Sequence, residues 1–176
     1  SLSRLVGDSG RGVPEGAGIL QYAADAQPRT VAPAFGGIER YRVMEWLNFI
    51  ATELHKQFAP LWYPTTPDAT KEAQKTKLAT RFDLVAKALA AQPYLTGSAF
   101  TIADAYLFTI LNWAPMLKVD LAPWPALLQF QARVAARPRA QRTTTWTRSR
   151  KRSPRLQGAA ALGWTRTTPP KRRPPR

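Results

Sequence analysis

Apolar residues recur at helical spacing through most of the chain from Ile38 to Arg137, and that spacing predicts its architecture. Met44, Leu47, Ala51, Leu54 and Phe58 form one stripe of a helix that begins near Ile38 and is stopped by Pro60 and the Pro64/Pro67 cluster. Glu45, Asn48, Thr52 and His55 repeat the same spacing on another face, so an α-helical wheel puts Asn48 and His55 on one strip. Glu53 lies about 140° away from Asn48 and faces elsewhere. A second long helix is predicted over 68–91, striped by Leu78, Phe82, Val85 and Leu89. Ser98–Trp113 is apolar almost all round yet too short and interrupted to span a membrane, which predicts a buried central helix. Thr101 and Asp104 have the form of a capping box at its start. Asp stands where Glu or Gln is usual, so the return bond is expected to be weaker. Pro115 bends or ends this helix, and Pro123 and Pro125 introduce another over 126–137 with Leu127, Leu128, Phe130 and Val134. Four helices on short connections predict a bundle.

The two ends read differently. Leu5 and Val6 suggest a weak strand followed by a Gly-rich, hairpin-like turn, then a short amphipathic helix from Glu15 to about Asp25. Pro28, Pro33, Gly36 and Gly37 mark a linker. After Pro138 the periodicity stops, Arg, Thr and Pro dominate, and Trp146 and Trp164 stand isolated, a composition that predicts disorder. The predicted organisation is therefore 1–27, a linker over 28–37, a helical domain over 38–138 and a basic tail over 139–176.

Charge and composition change this picture only at the tail. The chain of 176 residues has a formal net charge of +15, which suggests a nucleic-acid partner until the charges are located. Residues 139–176 hold 12 of the 26 basic side chains and none of the 11 acidic ones, which leaves 14 basic against 11 acidic elsewhere, a net of +3. The tail shows no repeat or RNA-binding motif, so nucleic acid is not the expected partner. The absence of cysteine excludes disulfides, thiolate nucleophiles and Cys-based metal sites, and one histidine without an acidic cluster argues against any metal. No signal-peptide pattern or membrane-spanning run is present, so a cytoplasmic protein with no membrane association is expected.

Three stretches carry a resemblance. YRVMEWLNFIATELHKQFAPLW (41–62), YLTGSAFTIADAYLFTILNW (94–113) and, more loosely, GVPEGAGILQYAAD (12–25) resemble the bacterial beta-class glutathione S-transferases. The resemblance implies a mainly α fold: that family's C-terminal helical bundle, preceded by a remnant of its N-terminal thioredoxin-like α/β domain. It also implies a homodimer that binds glutathione as co-substrate, without a separate cofactor, and conjugates it with small electrophiles. Matched position by position, Glu15 and Gly16 fall on the turn that holds the γ-glutamyl end. His55 falls on the active-site histidine, Asn48 and Lys56 on neighbours lining the cleft, and Glu53 on a residue reaching the partner subunit's glutathione. Trp113 falls on a tryptophan flanking the cleft. Read without the family, Glu15 is a first-turn acid, His55 an exposed polar residue and Trp113 a packing residue.

Departures from the family pattern accompany the matches. The family's first βαβ unit and its active-site cysteine are missing. Ser3 stands in place of the proline of a Val-Pro pair, and Pro14 in place of a Thr. The expectations that follow are a truncated start, a shifted reading frame after Pro138 and weakened activity. The alternative is a non-catalytic helical interaction module with a basic tail.

Overall fold

In the computed structural model, residues 5–6, 12–13, 15–26 and 31–138 are described; Ser3, Pro14 and the tail from 139 lie outside them. Strands β1 (Leu5–Val6) and β2 (Gly12–Val13) pair antiparallel, Leu5 opposite Val13, as the hairpin reading expects. Helix α1 (Gly16–Asp25) follows. Ser1–Arg137 forms one compact unit.

The next helix is not uniform. It runs as α2 (Ile38–Phe49), a π-helical segment (Ile50–His55), α3 (Lys56–Phe58) and a 3₁₀ turn (Ala59–Trp62). Its fully buried apolar positions are Val43, Leu47, Ile50, Leu54 and Phe58, so the seam runs through Val43 and Ile50, with Met44 and Ala51 half-buried at its margin. Both branched residues reach the core because a globular helix buries a band wider than one row of side chains.

Helix α4 (Asp68–Ala91) buries Leu78, Phe82, Val85 and Leu89, the four residues of its predicted stripe. Helix α5 (Ile102–Leu111) occupies the centre and buries Ile102, Ala103, Leu107, Ile110 and Leu111. A short 3₁₀ turn (Pro115–Leu117) ends in Lys118 at φ 56°, and α6 (Pro125–Ala135) then packs on α4 and α5. In α6, Leu127, Phe130 and Val134 are buried, but Leu128 is exposed, one residue round from the seam.

The cap of α5 is stronger than its composition suggests. Asp104 Oδ2 accepts the Thr101 N–H at 2.8 Å and the Thr101 hydroxyl at 2.9 Å, while Oδ1 accepts the Leu95 N–H at 2.8 Å. A shorter side chain here is a better fit because the carboxylate serves two segments at once. The turn before it closes through reciprocal Tyr94 and Gly97 backbone bonds, and Gly97 at φ 130° takes a conformation that side chains disfavour. The linker also contributes: Val31 O accepts the Ile102 N–H at 2.8 Å, pairing one of the free amides at the start of α5.

A single ion pair ties α1 to the helical core. Arg40 on α2 is 1% exposed and meets Asp25 at the end of α1 in two parallel bonds of 2.8 and 3.0 Å. Its guanidinium also reaches Pro33 O at 3.3 Å and lies 5.0 Å from the Phe35 ring centre. No described helix is long and apolar enough to cross a membrane.

Candidate functional site

The site grows from the π-helical segment. Such widened turns occur often at functional sites, and this one ends at His55. His55 Nδ1 lies 2.7 Å from the Tyr106 hydroxyl of α5. The His55 ring also meets Trp113 at 4.9 Å and Tyr106 at 5.9 Å between centres, both edge-on. Trp113 in turn packs against Phe58 and Trp62, at 6.0 and 5.7 Å. His55 is exposed, but these aromatic neighbours strip water from part of its ring, and that desolvation lowers its pKa. The imidazole is therefore neutral near neutral pH.

Glu15 acts on this cluster through its charge. It precedes α1 in an extended conformation, and its carbonyl accepts the Ile19 N–H at 2.8 Å. No side chain caps α1, so its first amides remain available to an anionic ligand. A Cβ on Gly16 would meet nothing within 4 Å, so packing does not require glycine there. Burial raises the pKa of Tyr106, and the negative charge of Glu15 raises it further. The start of α1 and the His55–Tyr106 pair therefore share one electrostatic neighbourhood.

The other sequence-selected residues distribute unevenly. Trp113 sits in the cluster, half-buried. Lys56 is exposed beside His55 in the chain. Asn48 is exposed, and its carbonyl accepts the Thr52 hydroxyl at 3.0 Å, but no hydrogen bond joins it to His55. A π turn rotates the chain less per residue than an α turn, so the α-helical wheel that aligned the two does not apply over Ile50–His55. Glu53 points to α4, where it pairs with Arg81 at 3.0 Å. Thr101 and Asp104 are buried beneath the site and hold α5, as their role as a cap implies. Burial pushes the Asp104 carboxyl up, and its bonds from Leu95 and Thr101 oppose that shift.

Tyr106 was missed by the sequence reading, though one signal was available. It is the one phenol on a mostly apolar helix, and a half-buried phenol needs a partner. Arg40 and Trp62 left no such trace.

Comparison with known proteins places these features in a family. Residues 49–138 match the profile of the glutathione S-transferase C-terminal domain. Glutathione S-transferase GstA of Escherichia coli is 43% identical over 138 residues, covering 78% of this chain and 69% of that protein. Among solved structures, the ternary complex of BphK, a bacterial transferase of this kind, superposes with a TM-score of 0.79 at 44% identity, covering 81% of this chain and 72% of that one. A sphingomonad glutathione S-transferase complexed with glutathione gives 0.79 at 35% identity, covering 83% and 73%.

Proposed function

The chain belongs to the glutathione S-transferase family, and from that premise we propose that it is a cytoplasmic transferase that joins glutathione to small electrophiles. The observation that carries this reading is the His55–Tyr106 pair at 2.7 Å, with the Glu15 charge at the start of α1 acting on the same phenol. The γ-glutamyl carboxylate of glutathione accepts from the open amides that begin α1, and its ammonium pairs with the Glu15 carboxylate. The sulfur then comes to the His55 side of the cleft. Thiolate, not thiol, is the nucleophile, and a hydrogen-bond donor together with the nearby Lys56 cation favours that form. The thiolate attacks the electrophilic carbon, a sulfur–carbon bond forms, and the leaving group departs with its electron pair. Trp113 and the exposed Trp62 offer an aromatic wall for the electrophile. Glutathione is consumed as co-substrate, so no further cofactor enters.

We further infer that this polypeptide on its own turns over slowly. Its described strands are two residues each, and it has no cysteine to assist the thiol. Retention on immobilised glutathione with slow conversion of a chloronitroaromatic electrophile is expected. Absence of retention contradicts the binding reading, and rapid turnover contradicts the inferred weakness.

A homodimer belongs to the same proposal. Trp46 and Phe49 line an open groove of about 720 Å³ between α2 and α4, together with Leu84 and Leu95. Leu84 is 55% exposed, an apolar side chain suited to burial by a second copy. Sedimentation is expected to give a dimer that Leu84→Arg dissociates; a monomeric parent chain removes this part of the proposal.

A further inference from the structure

Among the described residues one polar group is bonded to His55 Nδ1, the Tyr106 hydroxyl, 2.7 Å away, and the direction of that bond decides which edge of the imidazole is left to act. A neutral imidazole has one protonated and one bare nitrogen, so whichever role Nδ1 takes, Nε2 takes the other. Two arrangements are possible in principle. Tyr106 O–H donates into a bare Nδ1, or a protonated Nδ1 donates to the phenol oxygen. The first is chemically favoured. A phenol, with a pKa of about 10, is a far stronger acid than a neutral imidazole N–H, and a bare imidazole nitrogen, whose conjugate acid has a pKa of about 6.5, is a far better acceptor than a phenol oxygen.

We propose that Tyr106 is a positioning residue that donates its hydroxyl to Nδ1, fixes His55 as the Nε2–H tautomer, and so makes His55 a hydrogen-bond donor at its free nitrogen. Several features support the assignment. Among the described residues Nε2 has no hydrogen-bond partner. The edge-on contacts to Trp113 and Tyr106 hold the ring from two directions, which limits the flip that would exchange its nitrogens. Burial and the nearby Glu15 charge keep the phenol protonated, as a donor must be. The catalytic consequence rests on the glutathione reading above: an Nε2–H stabilises a thiolate already formed, whereas a bare Nε2 would instead remove the thiol proton. His55 thus acts on the sulfur as a donor, and the thiol proton leaves to solvent.

The single histidine of this chain makes the test direct, because every imidazole signal of a histidine-labelled sample belongs to His55. Long-range proton–nitrogen spectra at a pH where the ring is neutral are expected to show Nε2 protonated and Nδ1 bare. In Tyr106→Phe the two nitrogen signals are expected to move toward each other as the tautomers exchange. At unchanged KM for glutathione, kcat is expected to fall about tenfold, less than the roughly hundredfold that a proton-handling group itself contributes, because Tyr106 acts only through His55. A protonated Nδ1 in the parent protein overturns the proposal, even if the variant does not fold. So does a Tyr106→Phe spectrum identical to the parent's, or an unchanged kcat beside averaged tautomers. If the parent protein neither binds nor turns over glutathione, the family-based function fails, while the ring spectra still decide what Tyr106 does.

Discussion

The wall that carries His55 and the short helix that carries Glu15 are held in place by different physics. The wall stands on a continuous core: Leu47, Leu54, Phe58, Phe82, Leu107, Ile110 and Phe130 are fully buried, and rings contact one another in a chain from Trp62 through Trp113 and Phe58 to Phe82 and Trp124, edge-on except for the tilted Phe58–Phe82 pair. Helix α1 buries one residue, Ala24, with Ala17 and Leu20 half-buried against the core, and its far end is held by Asp25 on Arg40. Apolar burial is distributed over many side chains, whereas a strap built on one buried cation fails at one point. Half of the candidate site therefore rests on a broad apolar core, and the other half on a small apolar contact and one polar link.

Substitutions separate the two halves, and the largest effect is expected in the wall. Asp104→Ala leaves the Leu95 and Thr101 amides unpaired and removes the cap of α5, a loss of about 3–5 kcal/mol at roughly 1–3 kcal/mol for each stranded group. Denaturant unfolding should show the whole domain shifting. An effect below about 1 kcal/mol would mean the cap is not what anchors α5. Asp25→Ala comes next, at about 3 kcal/mol, because it strands a buried guanidinium. Its signature should be local: amide exchange accelerates across α1 and leaves α5 unchanged. Equal acceleration in both helices would erase the distinction between strap and wall.

The pH dependence of stability gives a smaller effect that belongs to the wall. Desolvation lowers the His55 pKa in the folded state. Below about pH 6.5 the unfolded chain takes up a proton that folded His55 resists, so stability falls as the pH is lowered through that region. His55→Gln should remove this part of the slope. An unchanged slope would mean that other groups produce it. The least effect is expected from Arg42→Ala, which breaks an exposed pair with Glu45 and should cost no more than about 0.5 kcal/mol. A larger loss there would mean that the pair is not the solvent-exposed contact described.

The same contrast governs what the sequence made legible. The α4 stripe and the Thr101–Asp104 cap are local patterns, and both stand in the structure where their spacing put them. The family resemblance identified the bundle because its blocks at 41–62 and 94–113 encode that core. The π segment was not legible: one added residue in a hydrogen-bond register barely alters the spacing of Leu47, Ile50 and Leu54. The Asp25–Arg40 strap joins residues on either side of a linker, and nothing local distinguishes it from surface charges. Tyr106 and His55 are 51 positions apart, and their bond exists only because α5 crosses the widened turn. Glu53 facing Arg81 is likewise a product of packing rather than of its position on a wheel.

Whether strap and wall form one site can be read in a single titration of glutathione into nitrogen-labelled protein, followed at the Gly16 amide and the His55 ring. If Glu15–Gly16 holds one end of the ligand and His55 the other, both signals move along the same saturation curve and yield one dissociation constant. A Gly16 shift with a motionless His55 ring, or the reverse, would contradict a shared site.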